Sequence, residues 1–260
     1  MQQLPPRVIP CLLLRNSGLV KTVKFKNPTY LGDPRNTVKI FNDKEVDELV
    51  LLDITATLEK KKPNFDLIFE IVSEAFMPVA YGGGIRNLED AKRILSLGVE
   101  KIVINTYTVE NPSFVTEAAR HFGSSSVVVC IDVKKRLFGK STVHINSGRK
   151  STHIDPVFHA IHMEQLGAGE LIVNSIDRDG TMSGYDLELI RMISSSVNIP
   201  TVACGGAGTT EHLGAAVKQA GASAVAAGSL FVFHGKHRAV LINFPEQQTL
   251  REILVHESLR

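Results

Sequence analysis

The chain has 260 residues and a formal net charge of +2, with 43% hydrophobic and 22% charged residues. This balance is typical of a folded globular protein and argues against disorder. A charge so close to zero gives no general electrostatic reason to bind nucleic acid or an acidic membrane, and no apolar run reaches the ~18 residues of a membrane span. The amino terminus shows no signal-peptide pattern, so we expect a cytoplasmic protein.

Eight apolar runs of strand length follow one another along the chain. They lie at residues 8–14, 49–53, 79–81, 101–104, 127–131, 171–173, 201–203 and 224–226. Most are continuously apolar, as expected for parallel strands that are buried on both faces. Segments with helical periodicity lie between or after them, at 64–76, 88–97, 112–121, 155–166, 186–196, 211–220 and 247–256. Repeated β-then-α units of this number predict a (β/α)₈ barrel, with residues 1–260 as one domain.

An internal repeat divides the chain near its middle. Residues 82–106 align without gaps with residues 205–229, an offset of 123 residues, and Thr106 falls on Ser229. The period is much longer than the 20–50 residues of solenoid repeats. The repeat therefore predicts two half-barrels, each made of four βα units.

The repeated segments point to phosphate binding. Each half has a Gly-Gly turn after its third strand and a hydroxyl residue after its fourth strand, Thr106 or Ser229. Glycine lets the backbone approach an anion, and free N–H groups at helix starts favour phosphate. One such turn alone is more simply a tight βα connection. Two at matching positions of one barrel mouth favour a ligand with a phosphate at each end.

Carboxylates follow several of the predicted strands. Asp132 is the strongest candidate for a general acid or base, because the strand before it is wholly apolar. Asp53, Asp177 and Asp179 are weaker candidates, and we expect loop hydrogen bonding for at least one of the last two. The repeat partner of Asp132 is Leu13, which cannot transfer protons.

Metal and cofactor chemistry has little support in the sequence. The cysteines at 11, 130 and 204 form no CxxC pair, and we expect them to be small buried side chains. The histidine pairs at 159/162 and 234/237 lack a nearby third ligand. The glycine motifs do not match GxGxxG. We therefore expect neither a metal nor a cofactor.

Several segments together resemble the cyclase subunit of imidazole glycerol phosphate synthase, the HisF family of histidine biosynthesis. They are LVLLDITAT, YGGGIRNLEDA, INTYTVENP, CIDVK, GAGELIVNSIDRDGTMSGYD and GGAGTTEH, within a likeness that spans residues 7–233. The resemblance implies a (β/α)₈ barrel, a bisphosphorylated ribotide substrate and a glutaminase subunit that completes a heterodimer. Ammonia from the glutaminase would pass through the barrel, cleave the ribotide and close an imidazole ring. The products would be imidazole glycerol phosphate and an aminoimidazole carboxamide ribotide.

The resemblance also implies roles for individual residues. One phosphate site would contain Gly84, Asn105 and Thr106, and the other Asp179, Gly180, Gly206, Gly228 and Ser229. Lys21, in a long first loop, and Asp53 would contact the substrate. At the opposite end, Arg7, Glu48, Lys101 and Glu170 would form an ammonia gate of alternating charge, each at the start of a strand. Charges near a barrel core cost the least free energy when positive and negative groups pair with one another. The alternative interpretation is four unrelated charges that are exposed to solvent.

The family uses a pair of catalytic aspartates, and this chain departs from that pattern. Asp132 matches the second aspartate, whereas Leu13 occupies the position of the first. Loss of one positioned acid or base typically costs about 10²–10⁴ in rate, unless another acid such as Asp53 compensates. One hypothesis is a cyclase subunit of the histidine pathway. The alternative is a cyclase-impaired paralogue that conducts ammonia between a glutaminase and a third enzyme, for example in surface-polysaccharide sugar modification. Another bisphosphate isomerase of this barrel type would explain the phosphate turns but not the gate.

Overall fold

The computed structural model describes residues 5–135 and 140–254. The strands are β1 (Arg7–Arg15), β2 (Gly18–Val23), β3 (Lys26–Gly32), β4 (Leu49–Asp53), β5 (Val79–Gly82), β6 (Lys101–Ile104), β7 (Val127–Lys135), β8 (Ser141–Ile145), β9 (Lys150–Ser151), β10 (Glu170–Ser175), β11 (Thr201–Cys204), β12 (Ala224–Ala227), β13 (Phe233–His234) and β14 (Ala239–Val240). The helices are α1 (Pro34–Asp43), α2 (Phe65–Val72), α3 (Leu88–Ser96), α4 (Thr106–Glu110), α5 (Ser113–Phe122), α6 (Pro156–Gln165), α7 (Leu187–Ser194), α8 (Thr210–Ala220), α9 (Ser229–Val232) and α10 (Gln247–Leu254).

Eight parallel strands close into a barrel with helices around it. Their order is β1, β4, β5, β6, β7, β10, β11 and β12, and β12 pairs with β1 to close the ring. The first four strands come from one half of the repeat and the last four from the other. The predicted (β/α)₈ barrel and its eight strands are confirmed.

The barrel interior is apolar because alternate residues of each strand point inward. The inward cluster consists of Ile9, Cys11, Val50, Ala80, Val103, Val128, Cys130, Ile172, Val202, Cys204, Ala224 and Ala226. A larger cluster packs the outer strand faces against the helices. All three cysteines are buried, as predicted, and burial raises the pKa of the Cys130 thiol well above its usual range.

The structure differs from the sequence prediction mainly in the connections. Helix α1 was not predicted, although Asp33 caps it by accepting N–H bonds from the first turn and Pro34 follows. Helix α2 ends at Val72 rather than at residue 76. The predicted helix at 247–256 is present as α10, but its last two residues lie outside the described part of the chain.

Two hairpins extend the barrel at the carboxyl ends of its strands. β2 and β3 pair antiparallel after β1, and β8 and β9 continue from β7 in the same way. The prediction that Lys21 lies in a loop is therefore wrong, because Lys21 belongs to β2. Within the residues that the structure describes, no helix is long and apolar enough to cross a membrane.

Candidate active site

A cavity opens at the carboxyl ends of the barrel strands. Twelve of the residues predicted for the site line it: Leu13, Lys21, Asp53, Gly84, Asn105, Thr106, Asp132, Asp179, Gly180, Gly206, Gly228 and Ser229. These residues are spread over more than 200 positions of sequence, and the barrel brings them together because parallel strands end at one face. The cavity is also lined by Asn174, which the sequence analysis did not single out.

Asp132 lies at the top of the barrel interior, held between two asparagine side chains. Asn105 Nδ2 donates to Asp132 Oδ2 at 3.1 Å, and Asn174 Nδ2 donates to Asp132 Oδ1 at 3.0 Å. Burial raises the pKa of Asp132 from 3.8 to about 7, against the lowering effect of the Asn174 hydrogen bond. A carboxyl with this pKa can both accept and release a proton near neutral pH.

Asn105 and Asn174 come from the two strands that flank β7. Asn105 follows β6, and Asn174 lies directly beside Asp132 in the pairing of β10 with β7. The signal that would have revealed Asn174 is strand alternation, since Asn174 is two residues beyond the inward-facing Ile172. We call Asn105, Asp132 and Asn174 the amide–carboxyl triad.

The wall opposite the triad is apolar. Leu13 is on β1, four strands around the ring from β7, and it pairs with Leu52 of β4. Both leucines line the cavity. At the repeat position that corresponds to Asp132, the cavity wall is therefore hydrocarbon rather than carboxyl.

Asp53 is already engaged in local hydrogen bonds. Its Oδ1 accepts from Thr55 N at 2.8 Å, Thr55 Oγ1 at 2.8 Å and Ala56 N at 3.0 Å. This is the capping pattern of an Asx turn. The geometry gives no support to Asp53 as a mobile acid that replaces the missing aspartate at Leu13.

The first hairpin is tied to the cavity by Asp179. Lys21 Nζ lies 2.7 Å from Asp179 Oδ1, and Thr22 Oγ1 donates to Asp179 Oδ2 at 3.1 Å. The backbone N–H of Lys24 donates to the Asp179 carbonyl at 2.8 Å. Asp177 instead accepts from the N–H of Lys135 at 2.9 Å, which is the loop role expected for one of these two aspartates.

The two hydroxyl residues of the repeat occupy matching places but have different partners. Thr106 begins α4, and its Oγ1 accepts from the N–H of Asn146 at 3.0 Å. Ser229 begins α9, and its buried Oγ has no hydrogen-bond partner among the described residues. A buried, unpartnered hydroxyl is uncommon and suits a site that a ligand oxygen completes.

Glycines at the mouth have a packing reason as well. Gly206 has φ +124°, and a Cβ there would lie 2.3 Å from the carbonyl oxygen of Gly184. Gly84 has φ +73°, and a Cβ there would lie 2.8 Å from the carbonyl oxygen of Lys61. These contacts explain the two glycines as parts of tight connections. They are also compatible with a backbone that is exposed to a ligand at the same positions.

Four charged residues close the opposite end of the barrel. Glu48 and Glu170 each form ion pairs with both Arg7 and Lys101; Lys101 Nζ lies 2.9 Å from Glu48 Oε1 and 3.0 Å from Glu170 Oε2. The glutamate side chains are almost fully buried, whereas Arg7 is one-third exposed (33%). We call these four residues the charge ring.

The residues that line the cavity include neither histidine of the 159/162 pair. His159 is buried and lies 3.3 Å from Thr108 Oγ1, and burial, with a smaller effect from His162, lowers its pKa to about 4. No cluster of three or more His, Cys, Asp or Glu side chains suited to a metal occurs in the described part of the chain.

Comparison with known proteins gives matches along nearly the whole chain. Residues 7–238 match the family described as histidine biosynthesis protein. The chain is 52% identical to imidazole glycerol phosphate synthase subunit hisF2 of Pseudomonas aeruginosa, over 94% of this chain and 97% of that protein. It is 49% identical to subunit HisF of Leptospira interrogans, over 94% and 97%. Both of these names are marked as provisional. Identity to imidazole glycerol phosphate synthase subunit HisF of Alkaliphilus metalliredigens is 43%, over 88% and 90%.

Proposed function

Since the chain belongs to the histidine biosynthesis protein family, we propose that it is the cyclase subunit of an imidazole glycerol phosphate synthase. In this role it uses ammonia to cleave a bisphosphorylated ribotide and to close an imidazole ring, which is lyase and cyclase chemistry. The observation that carries the proposal is a buried carboxyl, Asp132, placed between two matched sets of phosphate-site candidates around one cavity. A substrate with a phosphate at each end would span the mouth and present its middle to Asp132.

Asp132 is the proposed acid–base group. The attacking nitrogen must lose protons as it bonds to carbon, and the amine that leaves must gain one. With a pKa raised to about 7 by burial, Asp132 can take a proton in the first event and return one in the second. The two asparagines keep its oxygens oriented toward the cavity while it changes charge.

The hydroxyl groups of Ser229 and Thr106 and the ammonium group of Lys21 would hold the phosphates. Ser229 Oγ has no partner in the described chain and would donate to a phosphate oxygen. Thr106, at the equivalent position in the other half, would do the same at the second phosphate. Lys21 is paired with Asp179 at 2.7 Å and would supply positive charge to the substrate on rearrangement of the first hairpin.

The partner we propose is a glutaminase subunit that docks at the charge ring and forms a heterodimer with this chain. The ring closes the amino end of an apolar barrel interior, which a neutral ammonia molecule can cross far more easily than an ammonium ion. Both subunits would act in the cytoplasm.

A second candidate function follows from Leu13. Because Leu13 and Leu52 make the wall opposite Asp132 apolar, the ring-closing step lacks one of two acid–base groups. The protein would then be a cyclase-impaired paralogue that conducts ammonia from the glutaminase to a third enzyme.

One assay separates the two candidates. Purified protein, its Leu13→Asp variant and its Asp132→Asn variant are incubated with ammonium chloride and the ribotide, and imidazole formation is followed. The cyclase proposal expects slow turnover by the native chain, a gain of about 10²–10⁴ in Leu13→Asp and none in Asp132→Asn. If Leu13→Asp is the only one of the three proteins that turns over the ribotide, the result supports the paralogue that conducts ammonia to a third enzyme. No turnover by any of the three rejects cyclase chemistry at this site.

A further inference from the structure

The hairpin of β13 and β14 brings one arginine to the wall of the cavity. Residues 234–237 and 239–240 of this hairpin are exposed, whereas Arg238 is half-buried. Its Nη2 donates to the carbonyl oxygen of Gly180 at 2.7 Å. Gly180 lines the cavity and is a phosphate-site candidate in the second half of the repeat. A hairpin that is not part of the barrel sheet thus reaches this candidate site.

The same hairpin is anchored next to another candidate of that site. The N–H groups of Leu241 and Asn243 donate to carbonyl groups of α9 at 3.0 and 2.9 Å. Helix α9 begins with Ser229, whose buried Oγ has no hydrogen-bond partner in the described chain. Arg238 therefore connects the segment that carries Ser229 with the segment that carries Gly180.

Two hairpins hold consecutive carbonyl groups of this part of the wall. The N–H of Lys24, in the first hairpin, donates to the Asp179 carbonyl at 2.8 Å, and Arg238 holds the next carbonyl, that of Gly180. Gly180 has φ +73°, and a Cβ there would lie 2.2 Å from the carbonyl oxygen of Thr22. Glycine has more backbone freedom than any other residue, so hydrogen bonds on both carbonyls restrict this segment to one conformation.

The described part of the chain does not neutralise the charge of Arg238. The guanidinium lies over the Phe233 ring, with Cζ 4.9 Å from the ring centroid, and no described carboxylate forms an ion pair with it. Its Nε is buried and has no hydrogen-bond partner among the described residues. A ring face and a carbonyl dipole attract a cation but carry no net negative charge. An anion bound in the adjoining half of the cavity would therefore stabilise the guanidinium further.

We infer that Arg238 is a positioning residue for a phosphate group bound in the half of the cavity that contains Gly180 and Ser229. Arg238 fixes the Gly180 backbone through its carbonyl, and the positive charge favours a phosphate dianion beside that backbone. Arg238 is not among the residues that line the cavity, so it acts through Gly180 and not by touching the ligand. The identity of this half as a phosphate site rests on the proposed function, which assigns no role to Arg238.

A matched pair of variants separates the charge and the hydrogen bond of Arg238 from its packing. Arg238→Met keeps an unbranched side chain over the Phe233 ring but removes the donors and the charge. Arg238→Lys keeps a donor and the charge. The control is Lys236→Met, which removes a positive charge from an exposed side chain of the same turn.

The probe is inorganic phosphate, and its binding is measured at each half of the cavity separately. In isotopically labelled protein, the amide signals of Gly180 and Gly84 are assigned by triple-resonance NMR and followed as phosphate is added at constant pH and ionic strength. The Kd that Gly180 reports should rise about 3- to 10-fold in Arg238→Met, and should stay within about 2-fold of the native value in Arg238→Lys and Lys236→Met. The Kd that Gly84 reports should be the same in all four proteins.

Several outcomes would overturn the role of Arg238. One is an unchanged Kd at Gly180 in Arg238→Met, and another is an equal loss of affinity in Arg238→Lys and Arg238→Met. An equal rise of the Kd at Gly180 and Gly84 would also reject it, because the substitution would then act on the fold as a whole.

The native chain tells failure of this role from failure of the proposed function. If phosphate shifts the signals of Gly180 and Gly84 in the native chain but Arg238→Met has no effect, the phosphate sites stand and only the role of Arg238 is wrong. If phosphate shifts neither signal, the phosphate sites of the proposed function are wrong, and the role of Arg238 is rejected with them.

Discussion

Replacing Asp132 with asparagine should make the protein more stable at alkaline pH while it abolishes cyclisation. The carboxyl is buried and its pKa is raised from 3.8 to about 7, so the folded state resists its ionisation. Asparagine has the shape of the protonated acid and never ionises. The variant therefore removes a cost that the native chain incurs whenever Asp132 is charged.

The pH dependence of this cost follows from the two pKa values. Below pH 3.8 both folded and unfolded chains are protonated, and there is no cost. Between 3.8 and about 7 the unfolded chain ionises first, so native stability falls as pH rises. Above about 7 the loss levels off at about 4 kcal/mol, with about 2–3 kcal/mol of it falling between pH 5 and pH 8.

The substitution requires the Asn174 amide to rotate, because Asn174 Nδ2 donates to Asp132 Oδ1 in the native chain. A carboxamide at 132 offers one acceptor, which suits the fixed donor of Asn105, and one NH₂ group. Rotation of the Asn174 amide would present its unpartnered Oδ1 to that NH₂ group. The rotation also moves the Asn174 NH₂ group to the place where Oδ1 has no partner, at a pH-independent cost of about 1–3 kcal/mol that leaves the difference between pH 5 and pH 8 unchanged.

Urea unfolding at pH 5 and pH 8 tests this reasoning. The stability of Asp132→Asn relative to the native chain should increase by about 2–3 kcal/mol between the two pH values. The control is Asp177→Asn, whose carboxyl lies in a loop bond to Lys135 outside the triad. The opposite outcome is a stability difference between Asp132→Asn and the native chain that is either the same at both pH values or smaller at pH 8. Either result would refute the assignment of a buried, protonated carboxyl.

Three further changes test other parts of the structure. Ser229→Ala should weaken binding of a bisphosphorylated ligand about 10-fold in calorimetry, with urea stability unchanged because its Oγ has no partner in the described chain; equal affinity would remove Ser229 from the phosphate site. Glu48→Gln should lower stability by about 1–3 kcal/mol in urea unfolding, less than for a fully buried pair because Arg7 is 33% exposed; an unchanged midpoint would mean that the charge ring contributes nothing. Gly205→Ala should displace the Asn174 amide, whose Oδ1 would lie 2.4 Å from the new methyl group, and should lower cyclase turnover because Asn174 then no longer orients Asp132; native turnover would show that the backbone yields instead.

The barrel was predictable because its signal is redundant. Continuous apolar runs, helix caps such as Asn87 and the offset repeat all indicate the same eight units, and each alone would have been ambiguous. The first hairpin gave no such signal: most of β3 is exposed, so burial imposes no alternation on its sequence. The single domain over residues 1–260 stays a prediction.

Site residues were predictable from the sequence when an ionisable side chain directly follows a predicted strand. They were less predictable when their role depends on which strands pair in the fold. Asp132 could be found because a carboxylate after an apolar strand is unusual. Asn174 could not be ranked in the same way, because asparagine at a strand end is common and its importance lies in the pairing of β10 with β7. The engagement of Asp53 by Thr55 and Ala56 is likewise a property of the folded turn.

The amide–carboxyl triad lies at the junction between the two halves of the repeat. Asn105 belongs to the first half, whereas Asp132 and Asn174 belong to the second. Neither half, expressed alone, would bury Asp132 as the closed barrel does, so the burial that raises its pKa arises only when the halves join. The opposite junction, between β12 and β1, carries Leu13 instead. One junction of the duplicated sequence thus has a buried carboxyl and the other a leucine, and separately expressed halves should recover a neutral-pH titration of Asp132 only on reassembly.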